Sequence, residues 1–318
     1  MELVGLRQVS EAAQRLTGGV VRTPVVPCPW ADGEFWVKPE NLQPTGAFKI
    51  RGATNAVALL DGATRARGVV THSSGNHGQA LAHAARALGA RCTVVAPEGA
   101  SPVKVEAMRA MGARVVTVPP ERREETARAL AAEEGAALVP PFDHPDVIAG
   151  QGTVGLEIVA DLPEVDVVLV PVGGGGLASG VATAVTALRP SARVVGVEPE
   201  AAADTAEGLA LGRRTVWASE RTRHTIADGV RVGNSELTFA HLRERLDSVV
   251  TVGEAQIRAA MGVLARRARL VAEPSGALAT AAYLSGRTPR GRTVAVVSGG
   301  NADPWLLAEV LTAAVRPR

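Results

Sequence analysis

Short apolar runs alternate with longer segments rich in Ala, Leu and Arg along most of the chain. Most runs are continuously apolar, a pattern typical of strands covered on both faces in a parallel sheet. We predict strands at 68–72, 91–96, 113–118, 165–172, 192–197, 248–252 and 293–297. We predict helices at 78–88, 102–111, 122–134, 176–188 and 254–270. Strand followed by helix, repeated, predicts an α/β fold with open, mostly parallel sheets.

The first three predicted strands follow one another at short, regular intervals and predict a compact unit of their own. We expect a small inserted domain over residues 67–146. The flanking residues, 1–66 and 147–318, are expected to form a larger domain that the chain leaves and re-enters. A ligand is then expected in the cleft between the two domains.

Composition narrows the range of partners. The 318 residues are 46% hydrophobic and 21% charged, which is ordinary for a packed chain. Lysine and arginine total 34 against 32 acidic residues, and aromatic residues make up only 3%. Because the chain lacks a basic surface with aromatic stacking platforms, we expect a small-molecule partner and no nucleic acid.

The sequence predicts no targeting signal and no membrane span. No run approaches the ~18 apolar residues of a membrane span, and the N-terminal segment lacks the basic-then-apolar pattern of a secretory signal. The two cysteines, Cys28 and Cys92, are too few for a disulfide framework or a multi-thiolate metal site, so we expect buried thiols. We therefore expect a cytoplasmic protein with no membrane partner.

The segment 38–55 contains a candidate nucleophile. Turn-forming residues at 44–46 precede a predicted helix start, which places Lys49 in the first helical turn. An amine there lies in the positive field of the helix dipole and loses proton affinity. This favours a nucleophilic lysine, with a solvated surface lysine as the alternative.

The segment 71–78 joins a predicted strand to a predicted helix. Its small polar residues leave backbone N–H groups exposed at the helix start, where a carboxylate or phosphate binds. The alternative is that Ser73, Ser74 or Asn76 merely caps the helix.

Four consecutive glycines, residues 173–176, separate another predicted strand from its helix. Glycines let backbone amides approach a phosphate closely, and the helix dipole adds to the attraction. The loop also fits a dinucleotide fingerprint, because Gly173, Gly175 and Ala178 match G-x-G-x-x-A and Glu198 follows Ala178 by 20 positions. The loop alone does not distinguish the phosphate group of another ligand from a dinucleotide cofactor.

The segment 296–303 again runs from an apolar strand into glycines. Ser298, at the end of this strand, is predicted to face the ligand-binding edge of the sheet. A plain turn is the alternative.

Taken together, these segments resemble the fold-type II pyridoxal-phosphate enzymes, and among them the serine/threonine dehydratase and serine racemase group, which includes threo-3-hydroxyaspartate dehydratases. The resemblance covers nearly the whole chain and rests on RTP (22–24), TGAFKIRGATN (45–55), SSGNHGQA (73–80), IAGQGTVGLE (148–157), PVGGGGLASG (171–180), TIADGV (225–230), AEPSGA (272–277) and SGGNAD (298–303). It implies a tryptophan synthase beta-like α/β fold with the cofactor between two domains.

The resemblance implies a set of contacts to pyridoxal 5′-phosphate. Lys49 is expected to hold the cofactor as an imine, with Phe48 beside the ring and Asn76 hydrogen-bonded to the ring hydroxyl. Ser298 is expected to face the pyridine nitrogen, where a neutral hydroxyl leaves the ring a weaker electron sink than a carboxylate does. Amides for the phosphate are expected from Gly173, Gly174, Gly175, Gly176 and Leu177.

The resemblance also implies how the substrate carboxylate is bound. The expected donors are Ser73, Ser74, Gly75 and His77, with Arg123 aligned to a carboxylate-binding arginine of the racemases. Ser74 is expected on the face opposite Lys49. Racemases and hydroxyaspartate dehydratases carry serine there and simple threonine dehydratases carry alanine, so Ser74 is a candidate second acid/base for stereochemical inversion.

A divalent cation is implied as well. Glu198, the main-chain oxygen of Ala202 and Asp204 match the cation site of this group. Two carboxylates and a carbonyl suit Mg²⁺ or Ca²⁺. A solvated acidic loop is the alternative.

The resemblance implies a dehydratase (ammonia-lyase) that converts serine, threonine or threo-3-hydroxyaspartate into a 2-oxo acid and ammonia, with racemisation as a second activity. Serine racemase as the main activity is the alternative within the group. Two alternatives lie outside this activity: a nicotinamide-dependent oxidoreductase and an inactive ligand-sensing relative. We also expect a homodimer.

Overall fold

The computed structural model describes residues 2–73 and 75–313. The strands are β1 (Val26–Pro27), β2 (Phe35–Pro39), β3 (Val69–His72), β4 (Cys92–Pro97), β5 (Arg114–Val118), β6 (Ala137–Leu138), β7 (Val167–Pro171), β8 (Arg193–Pro199), β9 (Ser248–Val252) and β10 (Thr293–Val297). The helices are α1 (Leu6–Arg15), α2 (Lys49–Ala58), α3 (Gly62–Arg67), α4 (Asn76–Ala87), α5 (Pro102–Ala110), α6 (Arg123–Glu134), α7 (Pro145–Asp161), α8 (Gly176–Leu188), α9 (Asp204–Leu211), α10 (Ser219–Thr222), α11 (Glu236–Arg245), α12 (Glu254–Val263), α13 (Pro274–Leu284) and α14 (Pro304–Ala313).

The strands form two sheets. The larger has the order β1-β2-β10-β7-β8-β9 and is parallel except for the β1–β2 pair. The smaller has the order β5-β4-β3-β6 and is entirely parallel. Every residue of β4, β7 and β10 is buried, as expected for strands covered on both faces. The predicted fold class, two mostly parallel sheets with flanking helices, is confirmed.

All seven predicted strands are present with small shifts at their ends. The helix predicted over 254–270 differs, because α12 ends at Val263 and the chain continues as a π-helical turn over Leu264–Ala268. The apolar pattern predicted neither the long helix α7 nor the edge strand β1 and its neighbour β2. The division into domains at 67–146 stays a prediction. Cys28 and Cys92 are buried free thiols, as expected.

A buried ion network holds the start of α2 in place. Arg51, two residues after Lys49, is fully buried and donates to Glu40 at 2.7 and 2.8 Å and to Glu157 at 2.7 and 2.8 Å. Lys38 of β2 also bonds to Glu157. A buried guanidinium costs little only when its charge is paired and its donors are satisfied, as here. The network therefore ties α2 to β2 and α7.

Within residues 2–73 and 75–313, no helix is long and apolar enough to cross a bilayer.

Candidate active site

A cavity of about 300 Å³ lies between the carboxyl ends of the two sheets. It is lined by most of the predicted cofactor and substrate residues, namely Phe48, Lys49, Ser73, Gly75, Asn76, His77, Arg123, Gly173, Gly174, Gly175, Gly176, Leu177 and Ser298. Ser74 lies outside the described residues. Glu198, Ala202 and Asp204 do not line this cavity.

Lys49 is the first residue of α2, as predicted, and the turn before it is fastened to the end of β10. Gly46 has φ of +71°, and a Cβ there would lie 2.4 Å from Asn301 Oδ1, so this turn needs glycine. Ala47 forms a bridge with Gly299, and the Phe48 N–H donates to the Ser298 carbonyl at 3.0 Å. These contacts bring Lys49 and Ser298 to the same end of the cavity.

The chain has three lysines, and the amine of Lys49 differs from those of the other two. Lys38 is paired with Glu157, and Lys104 with Asp228 at 2.9 Å. Among the described residues, the Lys49 Nζ instead donates to a neutral group, the Pro141 carbonyl, at 2.6 Å. Burial lowers the pKa of Lys49 to about 8. Burial is thus the main cause of the lowered pKa, where we expected the helix field.

The four glycines form a tight bend at the start of α8. Gly175 has φ of +86°, and a Cβ on Gly174 would lie 2.3 Å from the Phe142 ring. Asn234 secures the bend by donating to the Gly173 carbonyl at 2.7 Å. In the part of the chain that the structure describes, the N–H groups of residues 173–177 have no acceptor. The bend therefore presents unsatisfied donors at a helix N-terminus, the arrangement that binds phosphate.

The loop before α4 uses some of its own donors. The Ser73 hydroxyl oxygen accepts from the Gly75 N–H at 3.2 Å and from the Gly78 N–H at 3.0 Å. The Gly75 N–H therefore points at the Ser73 hydroxyl and not at a substrate carboxylate, for which we predicted it as a donor. The N–H groups of Asn76 and His77 have no acceptor within the described ranges. These two amides, together with the Ser73 O–H, are the donors left for a carboxylate.

The His77 ring is a structural contact. Its Nε2 lies 2.9 Å from the Val139 carbonyl, and burial lowers the pKa of His77 to about 3. The ring is therefore neutral, and only the backbone N–H of His77 suits the predicted role. Arg123 is the first residue of α6 and lines the same cavity beside His72 and Glu124.

Ser298 ends β10 in a buried position. Its hydroxyl donates to the Ser275 carbonyl at 3.3 Å, and the Ser275 hydroxyl accepts from the Gly229 N–H at 3.0 Å. The hydroxyl is neutral at all ordinary pH values.

Sequence reasoning assigned no role to several residues that line the cavity: Lys104, Pro141, Phe142, Asp228, Val230, Glu273 and Ser275. The TIADGV and AEPSGA stretches, on which the resemblance rests, contain Asp228, Val230, Glu273 and Ser275. The sequence therefore did carry a signal for these four residues. Phe142 and Lys104 lie outside every stretch that we singled out.

The predicted cation ligands lie together elsewhere in the fold. Glu198 accepts from the N–H groups of Thr205 at 3.0 Å and Ala206 at 2.8 Å, and burial raises its pKa to about 8. Burial also raises the pKa of Asp204, which in turn adds to the rise at Glu198. The described residues contain no group of three or more His, Cys, Asp or Glu side chains suited to a metal. Because Glu198 does not line the cavity that contains the glycine bend, it is poorly placed to hold a ribose there, as the dinucleotide hypothesis requires.

Comparisons with known proteins agree with the geometry. The chain is 40% identical over 311 residues to the catabolic L-threonine dehydratase TdcB of Escherichia coli, a match that covers 94% of each chain. It is 41% identical over 304 residues to the L-threo-3-hydroxyaspartate ammonia-lyase of Saccharomyces cerevisiae, covering 93% of this chain and 92% of the relative. The solved structure of maize serine racemase matches with a TM-score of 0.92 and 36% identity, covering 99% of this chain and 98% of that one.

The family described as pyridoxal-phosphate dependent enzyme matches residues 16–299. This match spans most of the chain and includes both sheets, the glycine bend and Lys49. The chain belongs to the family of pyridoxal-phosphate dependent enzymes.

Proposed function

We propose that the protein is a dehydratase (ammonia-lyase) that converts a β-hydroxy amino acid into a 2-oxo acid and ammonia. Serine, threonine and threo-3-hydroxyaspartate are the candidate substrates. The observation that carries the proposal is that the amine of Lys49, the unsatisfied amides of the glycine bend and the hydroxyl of Ser298 line one cavity. Relatives with dehydratase and ammonia-lyase activity at about 40% identity support it.

The residues present fit pyridoxal phosphate. The bend at 173–176 offers backbone donors that have no acceptor among the described residues, and a phosphate dianion suits them. Lys49 offers an amine with a pKa of about 8, which is neutral often enough near neutral pH to bond to an aldehyde. Phe48 lies beside that amine, with its ring centroid 5.1 Å from Nζ.

When bound, the cofactor supplies an aldehyde that holds the substrate amine and a ring that accepts electron density from Cα. Lys49 would hold the aldehyde until the substrate binds, and its neutral amine would then accept the Cα proton. The electron pair of the broken C–H bond would form the Cα–Cβ double bond, and the proton taken by Lys49 would balance the β-hydroxyl, which leaves as water. Ser298 would place a neutral hydroxyl at the ring nitrogen, which would then stay largely unprotonated and favour rapid loss of the β-substituent over a long-lived carbanion.

The N-terminus of α4 is proposed to hold the substrate carboxylate. The N–H groups of Asn76 and His77 and the Ser73 hydroxyl are its available donors. Arg123, which lines the same cavity, is a further candidate for this charge.

Ammonia release from a panel of hydroxy amino acids tests the proposal. We expect release from at least one of L-serine, L-threonine and L-threo-3-hydroxyaspartate. Absorbance of the purified protein separates a lysine-bound pyridoxal cofactor from a nicotinamide. No ammonia from any member of the panel would overturn the proposed activity.

Serine racemisation is the second candidate, supported by Ser74 in the sequence and by the similarity to maize serine racemase. Inversion needs a second acid/base on the face opposite the lysine. We expect Ser74→Ala to abolish racemisation while part of the elimination survives. Equal loss of both activities would assign Ser74 to carboxylate binding alone.

We also propose that Glu198, Asp204 and the Ala202 carbonyl hold Mg²⁺ or Ca²⁺. The support is that both carboxylates are buried near each other in the fold, where a cation would neutralise their charge. A chelator should lower the melting temperature of the wild-type protein, and Asp204→Ala should remove that response. A melting temperature unchanged by chelators would count against the site.

The division into a large domain (1–66 and 147–318) and a small inserted domain (67–146) is likewise proposed, supported by the two separate sheets. A cytoplasmic homodimer stays a prediction, and sedimentation of the purified protein tests the oligomeric part.

A further inference from the structure

Asn76 is held at both ends of its side-chain amide by residues from the other side of the cleft. Asn76 opens α4, which packs on the small sheet, whereas Glu273 precedes α13 and Asn301 follows β10 on the large sheet. The Asn76 Nδ2 donates to Glu273 Oε1 at 2.6 Å. The Asn301 Nδ2 donates to Asn76 Oδ1 at 2.8 Å. The chain of hydrogen bonds therefore crosses the cleft.

A backbone carbonyl fixes which atom donates and which accepts in each of these hydrogen bonds. The Asn301 Nδ2 also donates to the Thr45 carbonyl, at 2.9 Å, and a carbonyl can only accept. Both protons of that nitrogen are thus used, so the atom of Asn76 facing Asn301 must be its oxygen. The Asn76 nitrogen must then face Glu273, which uses one of its two protons. The second proton remains for a group in the cavity.

Glu273 is built into its position. It is only 3% exposed, and its N–H donates to the Gly299 carbonyl at 3.1 Å. A Cβ on Gly299 would lie 2.3 Å from Glu273 Oε1, so the carboxyl group fits only beside a glycine. Within the described residues, Asn76 is the hydrogen-bond partner of this carboxyl group.

The carboxyl group can accept from Asn76 whether charged or neutral. Burial raises the pKa of Glu273 to about 7, Asp228 adds to the rise, and Lys104 opposes it. A protonated carboxyl group retains a carbonyl oxygen that accepts an N–H, so the contact does not require the charge.

We propose that Glu273 and Asn301 are positioning residues that orient the Asn76 amide, so that its second Nδ2 proton points at the ring oxygen of the bound cofactor. The inference rests on the proposed function, because it takes pyridoxal phosphate as the occupant of the cavity. Neither residue needs to touch the reacting atoms.

Cofactor affinity tests the inference without using activity. Absorbance titration of the apoprotein with pyridoxal 5′-phosphate gives the Kd. We expect Glu273→Ala to raise the Kd about tenfold, the scale of one lost hydrogen bond to a charged group, and Glu273→Gln to stay within about twofold because its amide oxygen still accepts. An analogue without the ring oxygen, 3-deoxypyridoxal phosphate, should bind wild type and Glu273→Ala equally.

A double-mutant cycle separates orientation of Asn76 from general support of the fold. In an Asn76→Ala background, Glu273→Ala should change the Kd by less than about twofold, because its target is already absent. Asn301→Ala gives an independent cycle with the same expectation. Asn41→Ala is the matched control, since Asn41 ties its loop to the Val271 carbonyl at 2.9 Å without touching Asn76.

Two outcomes would overturn the inference: a wild-type Kd in both Glu273→Ala and Asn301→Ala, or an equal rise in the Kd with and without Asn76. A wild-type protein that takes up no cofactor on a lysine would instead overturn the proposed function. Melting temperatures of all variants identify any that fail to fold. If a variant of one double-mutant cycle does not fold, the other cycle still tests the inference.

Discussion

Two of the helices that begin at the cavity, α4 and α8, have N-termini that are built differently. The start of α8 is a bend of four glycines packed against Phe142, and its backbone N–H groups have no acceptor among the described residues. The start of α4 is occupied by its own side chains, because Ser73 accepts from the loop amides and Asn76 bonds across the cleft. Both ends carry the positive field of a helix dipole.

The difference matches two kinds of ligand. A backbone cradle offers fixed donors at short range and suits a resident dianion such as a phosphate. A start that relies on side chains and on contacts across the cleft can adjust as a smaller carboxylate enters and leaves. We therefore propose the start of α8 as the site of the cofactor phosphate and the start of α4 as the site of the substrate carboxylate.

Lys49 lines the same cavity as the two helix starts, and its loss should have the largest effect. Lys49→Ala removes both the amine that holds the cofactor and the proton acceptor, and we expect activity to fall at least about 10³-fold. The absorbance of the lysine-bound cofactor should disappear as well. Lys104→Ala is the control and should keep that absorbance. Retention of both signals in Lys49→Ala would remove the basis of the proposal.

A methyl group in the glycine bend should affect cofactor binding next most strongly. A Cβ on Gly174 would meet the Phe142 ring at 2.3 Å, so the bend must shift away from the geometry that binds phosphate. We expect Gly174→Ala to raise the cofactor Kd about a hundredfold, the effect of losing about two hydrogen bonds to a charged group. Gly62→Ala, where a Cβ meets nothing within 4 Å, should leave the Kd unchanged. Equal Kd values in the two variants would mean that the bend is not the phosphate site.

Ser73→Ala should affect the other helix start instead. The change removes a hydroxyl donor and leaves the N–H groups of Gly75 and Gly78 without their acceptor. We expect the substrate KM to rise about tenfold while the cofactor Kd stays within about twofold. Ser219→Ala, at an exposed position remote from the cavity, is the control. A change in cofactor Kd with no change in KM would reverse our assignment of the two helix starts.

The pH dependence of cofactor capture should show the smallest effect. The reactive form of Lys49 is the neutral amine, and its pKa of about 8 means that its population grows as the pH rises toward that value. Capture by the apoprotein should quicken about fivefold from pH 7 to pH 8 and less than twofold from pH 8 upward. Stopped-flow absorbance measures this rate. A rate that keeps climbing to pH 10 would show an amine with the ordinary pKa of lysine.

The central strands and the cavity-lining segments could be predicted from sequence because their signals are local. A continuous apolar run such as 167–171 predicts a covered strand, and a run of glycines before a helix predicts an anion site. The start of α2 at Lys49 followed from the turn residues before it. Each of these inferences needs only neighbouring residues.

Contacts between distant residues could not be predicted in this way. Phe142 packs against a bend more than 30 residues away, and Glu273 meets Asn76 from almost 200 residues away. The capture of the Gly75 amide by Ser73 is local, but it depends on a rotamer that sequence does not fix. Helix α7 gave no clear period because it is buried along most of its length.

The central claim is that Lys49 carries the cofactor, and the chain's three lysines make it directly testable. The protein is loaded with pyridoxal phosphate, reduced with borohydride to make the attachment permanent, and digested for peptide mass spectrometry. We expect the added mass on the peptide that contains Lys49. Modification of Lys104 or Lys38 with Lys49 unmodified would contradict this claim.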